Sequence, residues 1–272
     1  MRPRPGGKQR GYFGQRPGHA ARRHGREPHR HWIYRQDIRR HFFEPHENRF
    51  LDAILPRIEE LPTFQRELAL HALYQACLAK RPYNLFHRAN LAMRRRPVNR
   101  SFGNKTTWER PFPELMRRYV QEADGAVFDS GQRCRALCGD ALQLDPHGYD
   151  LIYLDTPYVS SRGAGVDYLD YYHFMEGLTS PHTWKDRILH QYKHKPLKGK
   201  GKNPWCDPKR IQTAFESVIR HFRRSILVIS YRSDGIPSIE QISAMLVNVG
   251  KKVEILDSGP YTYALSRNRR SK

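Results

Sequence analysis

The chain has 272 residues, enough for one substantial core or for one core and a smaller lobe. Its net charge is +21 with a pI near 10.1, well away from an ordinary metabolic enzyme and suited to a polyanionic partner such as a phosphodiester backbone. No apolar run approaches the about 20 residues needed to cross a bilayer, and no signal-peptide core follows the basic start, so a cytoplasmic protein is expected.

Cys77, Cys134, Cys138 and Cys206 form no Cys-x-x-Cys pair and read as isolated thiols of a reducing compartment. His190 and His194 share helical spacing without an evident third ligand. A solvated basic face is the simpler reading, and no metal is expected.

Residues 1–31 are rich in Arg, Pro, Gly and His with hardly an aliphatic side chain, and read as a disordered basic arm. A helical, DNA-contacting portion is expected over 32–132, and an α/β portion carrying the chemistry over 133–272. Within Asp37–Glu60, Phe50, Leu51, Ile54, Leu55 and Ile58 recur at helical spacing, with Asn48 a candidate cap. A second helix is predicted over Phe64–Lys80, closed by Lys80-Arg81-Pro82.

Between Arg81 and Arg110 the character changes. Arg88, Arg94, Arg100 and Lys105 alternate with Tyr83, Phe86, His87, Phe102 and Trp108, and Asn104 lies among them. Cations there can hold phosphates while aromatic and amide side chains reach bases; a basic loop with half-buried aromatics would give the same pattern. Pro113–Ala126 reads as a helix, and Arg135–Cys138 as a strand ending at Gly139-Asp140-Ala141.

Leu151–Leu154 is a short apolar run of the kind that makes a buried central strand. It stops on Asp155-Thr156-Pro157-Tyr158, because proline cannot donate to a ladder and keeps its predecessor extended. A carboxylate is thereby set at the carboxyl edge of a sheet, where open α/β folds bind ligands.

Asp-Thr-Pro-Tyr resembles the Asp-Pro-Pro-Tyr signature of the amino-group DNA methyltransferases. Ser101–Trp108, Val166–Leu178 and Ser225–Pro237 are similar in turn to blocks of the D12-class adenine-N6 DNA methylases, so the resemblance runs from about Phe42 to the end of the chain. It implies an α/β, methyltransferase-like (Rossmann-like) mixed sheet closed by an antiparallel hairpin. S-adenosylmethionine is the implied donor and double-stranded DNA the implied substrate. The implied catalytic residues are Asp155, Thr156 through its carbonyl, Pro157 and Tyr158. Cys138, Gly139, Asp140 and Ala141, with Asp155, would line the donor site.

The family also carries DNA contacts between its cofactor and catalytic motifs, which favours that role for Arg88, Arg94, Arg100, Asn104 and Lys105. Arg162, in the Ser- and Gly-rich loop 159–165, joins them. Thr156 stands where the commoner motif has proline, and a backbone acceptor tolerates the exchange.

One family feature has no counterpart. The resemblance leads one to expect a strand entering Phe-x-Gly-x-Gly near the N-terminus, and Tyr12–Gly18 has neither the spacing nor the strand. The first βαβ portion of the cofactor domain is therefore expected to be absent and the sheet incomplete. A DNA-binding remnant without transfer, or an RNA amino-methyltransferase, is the alternative reading.

Beyond the motif, Asp167–Leu178 reads as an aromatic helix and His190–Lys202 as a flexible basic loop. Helices are predicted over Asp207–Phe222 and Ser238–Val249, a buried strand over Ile226–Tyr231, and a hairpin from Val253–Leu256 and Tyr261–Leu265.

Overall fold

The computed structural model describes residues 42–82, 85–86, 90–97, 104–163, 165, 167–179, 184, 186–193, 195–198, 203–257 and 259. The basic arm over 1–31, Arg88, Arg100, the side chain of Asn104 and Tyr261–Leu265 lie outside them, as does part of the basic run 190–202.

Helices come first: α1 (Pro45–Glu59), α2 (Thr63–Ala79), the short α3 (Leu91–Arg95) and α4 (Asn104–Glu109), and α5 (Phe112–Gly125). The α/β part follows as β1 (Leu151–Asp155), α6 (Tyr168–Thr179), α7 (Ile211–His221), β2 (Ile226–Ser230) and α8 (Ile239–Asn248). The predicted helices sit where their apolar spacing put them, within a turn at each end. At the start of α1 the Glu47 carboxylate accepts the Glu44 N–H at 2.9 Å, so Glu44 caps the helix and Asn48 lies inside it. At α8 the cap is Ser238, whose Oγ accepts the Gln241 N–H while Gln241 Oε1 accepts the Ser238 N–H at 2.8 Å.

Two cores form. One joins α1, α2 and α5 to α6 through Phe42, Phe43, Phe86, Phe112, Phe174 and Trp184. Phe86 and Phe174 stack at 4.7 Å between centroids, and Phe42 meets both rings edge-on. The aromatic helix after the catalytic motif therefore commits Phe174 and Met175 to the helical lobe, although it follows β1 in the chain. The second core packs α7 and α8 through Phe215, Ile219, Ile242 and Met245, with Leu227 and Ile229 of β2 against them.

β1 and β2 pair in parallel, Leu151 opposite Ile226 and Asp155 opposite Ser230. The entry to the pair is pinned from both sides: Ser225 Oγ donates to the Tyr149 carbonyl at 2.6 Å, and the Ile226 N–H donates to the Asp150 carbonyl at 2.8 Å. Among the described residues this is a two-stranded parallel sheet, and neither the mixed sheet nor the closing hairpin is among them.

Two strand expectations need correction. Leu151–Leu154 is not a buried central strand: Leu151 and Tyr153 are 52% and 59% exposed, because among the described residues helices cover one sheet face only. Arg135–Cys138 is exposed and outside any strand. A strand exists by pairing its N–H and C=O groups with a neighbour, and no described backbone runs beside it.

Candidate active site at the end of β1

Asp155 is the last residue of β1 and is exposed at its carboxyl end. The Tyr158 hydroxyl donates to Asp155 Oδ1 at 3.0 Å and lies 3.4 Å from Ser230 Oγ, the residue across the ladder from Asp155. Thr156 is buried, and its hydroxyl oxygen has no hydrogen-bond partner among the described residues.

Tyr231 holds this corner from below. Its ring meets Tyr158 edge-on at 5.7 Å, its hydroxyl donates to the Ile236 carbonyl, and it accepts the Val159 N–H at 3.5 Å. Burial raises the Tyr231 hydroxyl above the usual phenol range, with the Val159 N–H opposing. The loop after the motif is tied back by the Ile236 N–H on the Val159 carbonyl at 2.9 Å and the Ser161 N–H on the Asp234 carbonyl at 2.9 Å. Two glycines permit the close approach. A Cβ on Gly165 would lie 2.2 Å from the Cys206 carbonyl oxygen, and one on Gly235 would lie 2.4 Å from the Tyr231 ring.

Gly139, Asp140 and Ala141 line a cleft of about 750 Å³ whose other wall is Trp205, Arg210, Thr213 and Ala214. Asp140 Oδ1 accepts the Leu142 N–H at 3.0 Å, which fixes the turn. Cys138 is exposed beside it. Neither Asp155 nor Tyr158 lines this cleft, so the structure groups Gly139–Ala141 with Trp205 and groups Asp155 with Tyr158 and Ser230.

The basic side chains divide as well. Arg94 is 7% exposed, with both terminal nitrogens on the Glu47 carboxylate at 2.6 and 2.8 Å and one on the Trp108 carbonyl at 3.0 Å. Lys80 shares that carboxylate at 2.8 Å and donates to the carbonyls of Trp108 and Arg110. Burial works against the Glu47 charge, but hydrogen bonds from Arg94 and Lys80 outweigh it and hold the carboxyl below its usual value. Arg94 is thus a structural cation that clamps α4 and its flank to α1. Lys105 donates to the Arg96 carbonyl at 3.0 Å and faces Glu109 at 3.5 Å. Arg162 is exposed, near the Arg232–Asp234 ion pair.

Sequence reading did not find Ser230, Tyr231 or Trp205. Ser230 and Tyr231 end an apolar strand as Asp155 does and lie in the block Ser225–Pro237, the two signals available for them.

Comparison with known proteins adds a distant likeness. Over 243 residues the chain is 27% identical to a protein described as Type II methyltransferase M2.HphI of Haemophilus parahaemolyticus. This chain is a distant homologue of a methyltransferase. The match takes in 83% of the chain, a stretch long enough to include Asp155–Tyr158 wherever it starts. The chain spans 64% of the length of that relative. No family model and no solved structure matches the chain.

Proposed function

We propose that this chain is the catalytic and DNA-contacting part of a D12-class methyltransferase that moves a methyl group from S-adenosylmethionine to adenine N6 in double-stranded DNA. The observation that carries the reading is Asp155, open at the carboxyl end of a parallel strand within Asp-Thr-Pro-Tyr and bonded by the Tyr158 hydroxyl.

Adenine N6 is a weak nucleophile because its lone pair is delocalised into the ring. Asp155 Oδ2 would accept one amino hydrogen while Oδ1 keeps Tyr158, and the Thr156 carbonyl would accept the other. These acceptors favour the pyramidal nitrogen that can attack, which is positioning plus electrostatic preorganisation. Tyr158, braced by Tyr231, would stack on a base swung out of the duplex. S-adenosylmethionine would supply the methyl group. Gly139–Ala141 and Trp205, which line one cleft, would hold its nucleoside end. Arg162 and Lys105 are the described cations proposed for DNA phosphates.

Transfer is tested by incubating the full chain with duplex DNA and isotope-labelled S-adenosylmethionine, then digesting to nucleosides for mass spectrometry. Label is expected on N6-methyladenine and should vanish in Asp155→Ala, with salt-sensitive DNA binding nearly unchanged. Label retained by Asp155→Ala would remove the carboxylate from the mechanism.

A second reading, a DNA-binding remnant without transfer, draws on the lack of any Phe-x-Gly-x-Gly within the 272 residues. DNA binding with neither donor binding by calorimetry nor label on any base would select it.

A further inference from the structure

The loops that leave β1 and β2 are zipped together by backbone. Ser160 and Gly235 form an antiparallel bridge, and the Ser161 N–H donates to the Asp234 carbonyl at 2.9 Å. On this shared turn Arg232 Nε and Nη2 donate to the two carboxylate oxygens of Asp234 at 2.5 and 2.9 Å. Arg162 is exposed on the other loop. The hydrogen bond from Arg232 first, and the charge of Arg162 after it, hold the Asp234 carboxyl below its usual value. One carboxylate therefore answers to two guanidinium groups, one from each loop, and the balance is positive.

The Arg232–Asp234 pair is not what builds the turn. An exposed ion pair adds little to stability, and these side chains are 27% and 51% exposed. Backbone bonds already close the turn, with the Gly235 N–H on the Arg232 carbonyl and the Ile236 N–H on the Val159 carbonyl. The pair instead fixes a planar cationic fork two residues past Ser230, which stands across the ladder from Asp155.

We propose that Arg232, beside Arg162, grips the DNA phosphates next to the adenine presented to Asp155. The inference rests on the DNA reading given above. A base leaves the stack by rotation about its own backbone, so the phosphates on either side of it come with it to the mouth of the site. Contacts to them fix register without reading sequence. Guanidinium groups suit this task, because their planar fork matches two oxygens at once. Asp234 and a phosphate can share Arg232, since a guanidinium carries five donors.

The test follows the full chain by fluorescence anisotropy on a labelled mixed-sequence duplex over a range of salt concentrations, beside thermal melts and the methyl-transfer assay. Arg232→Gln should weaken binding about tenfold at low salt and lower the slope of log affinity against log salt by about 1, with the melting temperature unchanged. Arg232→Lys keeps the charge and should restore the slope. Arg224→Gln is the control: that arginine is exposed at the opposite end of β2, and its loss should leave slope and affinity as in the parent. The inference is overturned by an unchanged slope in Arg232→Gln, by an equal fall in Arg224→Gln, or by a slope that Arg232→Lys leaves low. It is equally overturned if Arg232→Gln lowers the melting temperature and not the binding. Any of these results beside label on N6-methyladenine sinks the inference alone. The expected fall in slope with no label on any base upholds it and removes methyl transfer instead. No DNA binding by the parent chain overturns both.

Discussion

The hydroxyl of Tyr158 lies 3.0 Å from Oδ1 of Asp155, so the aromatic residue of the motif is tied to its acid in the folded chain. Under the proposed mechanism ring and hydroxyl have separable roles. Tyr158→Phe keeps the stacking surface and frees Oδ1, and should lower kcat by no more than about tenfold, whereas Tyr158→Ala should cost about a hundredfold or more. Steady-state methyl transfer on duplex DNA distinguishes the two. Equal losses would mean that the ring does not meet the base.

Arg94 and Arg162 should answer oppositely to alanine. Arg162 is exposed, and its loss should reduce the slope of log affinity against log salt by about 1 with stability unchanged. Arg94 is locked onto Glu47, so its loss should lower the melting temperature instead. Fluorescence anisotropy at several salt concentrations and thermal melts read the contrast.

Glu47 holds two cations in a buried setting, its own side chain 3% exposed and that of Lys80 2%. Removing one partner of such a group leaves uncompensated charge, and Glu47→Ala should cost about 3–5 kcal/mol in urea unfolding. The folded-state pKa of Glu47 is lowered, so its stabilisation is complete above its unfolded value, near 4.5, and is lost as pH falls through the lower folded value. Melts below pH 4.5 should show this decline in the parent and a flatter profile in Glu47→Ala.

Gly165 faces the carbonyl of Cys206, and a methyl group added at Gly165 would lie 2.2 Å from that oxygen. The obstacle is backbone, so Gly165→Ala must move the turn that carries Trp205. A loss of about 1–3 kcal/mol is expected in denaturant unfolding, with an altered tryptophan emission. Unchanged emission would show that the turn yields elsewhere.

The thiols should alkylate in a fixed order. Cys134 and Cys138 are exposed and react first; Cys206, its pKa pushed up to about 11 by burial, follows slowly; buried Cys77 waits for unfolding. A non-transferable analogue of S-adenosylmethionine should slow Cys138, next to Gly139 on the cleft, and leave Cys134 less affected. Peptide mass spectrometry gives both the order and the protection.

Much of this protein was legible in the chain itself. Apolar residues at helical spacing placed α1, α2, α5, α7 and α8, because a helix needs only a stripe to bury and local hydrogen bonds to form. The stop at Asp155–Tyr158 was equally local, since proline ends a ladder without consulting the rest of the fold. Arg135–Cys138 and Leu151–Leu154 failed as a strand and as a buried strand because pairing and burial depend on neighbours elsewhere in sequence. Tertiary structure alone decided that Arg94 belongs to Glu47, which lies a whole helical lobe away in sequence, and that Ser230 and Tyr231 stand beside Asp155 and Tyr158. A carboxylate claims the cation that desolvation brings to it, and a parallel register sets two strand ends side by side; neither is written in local sequence.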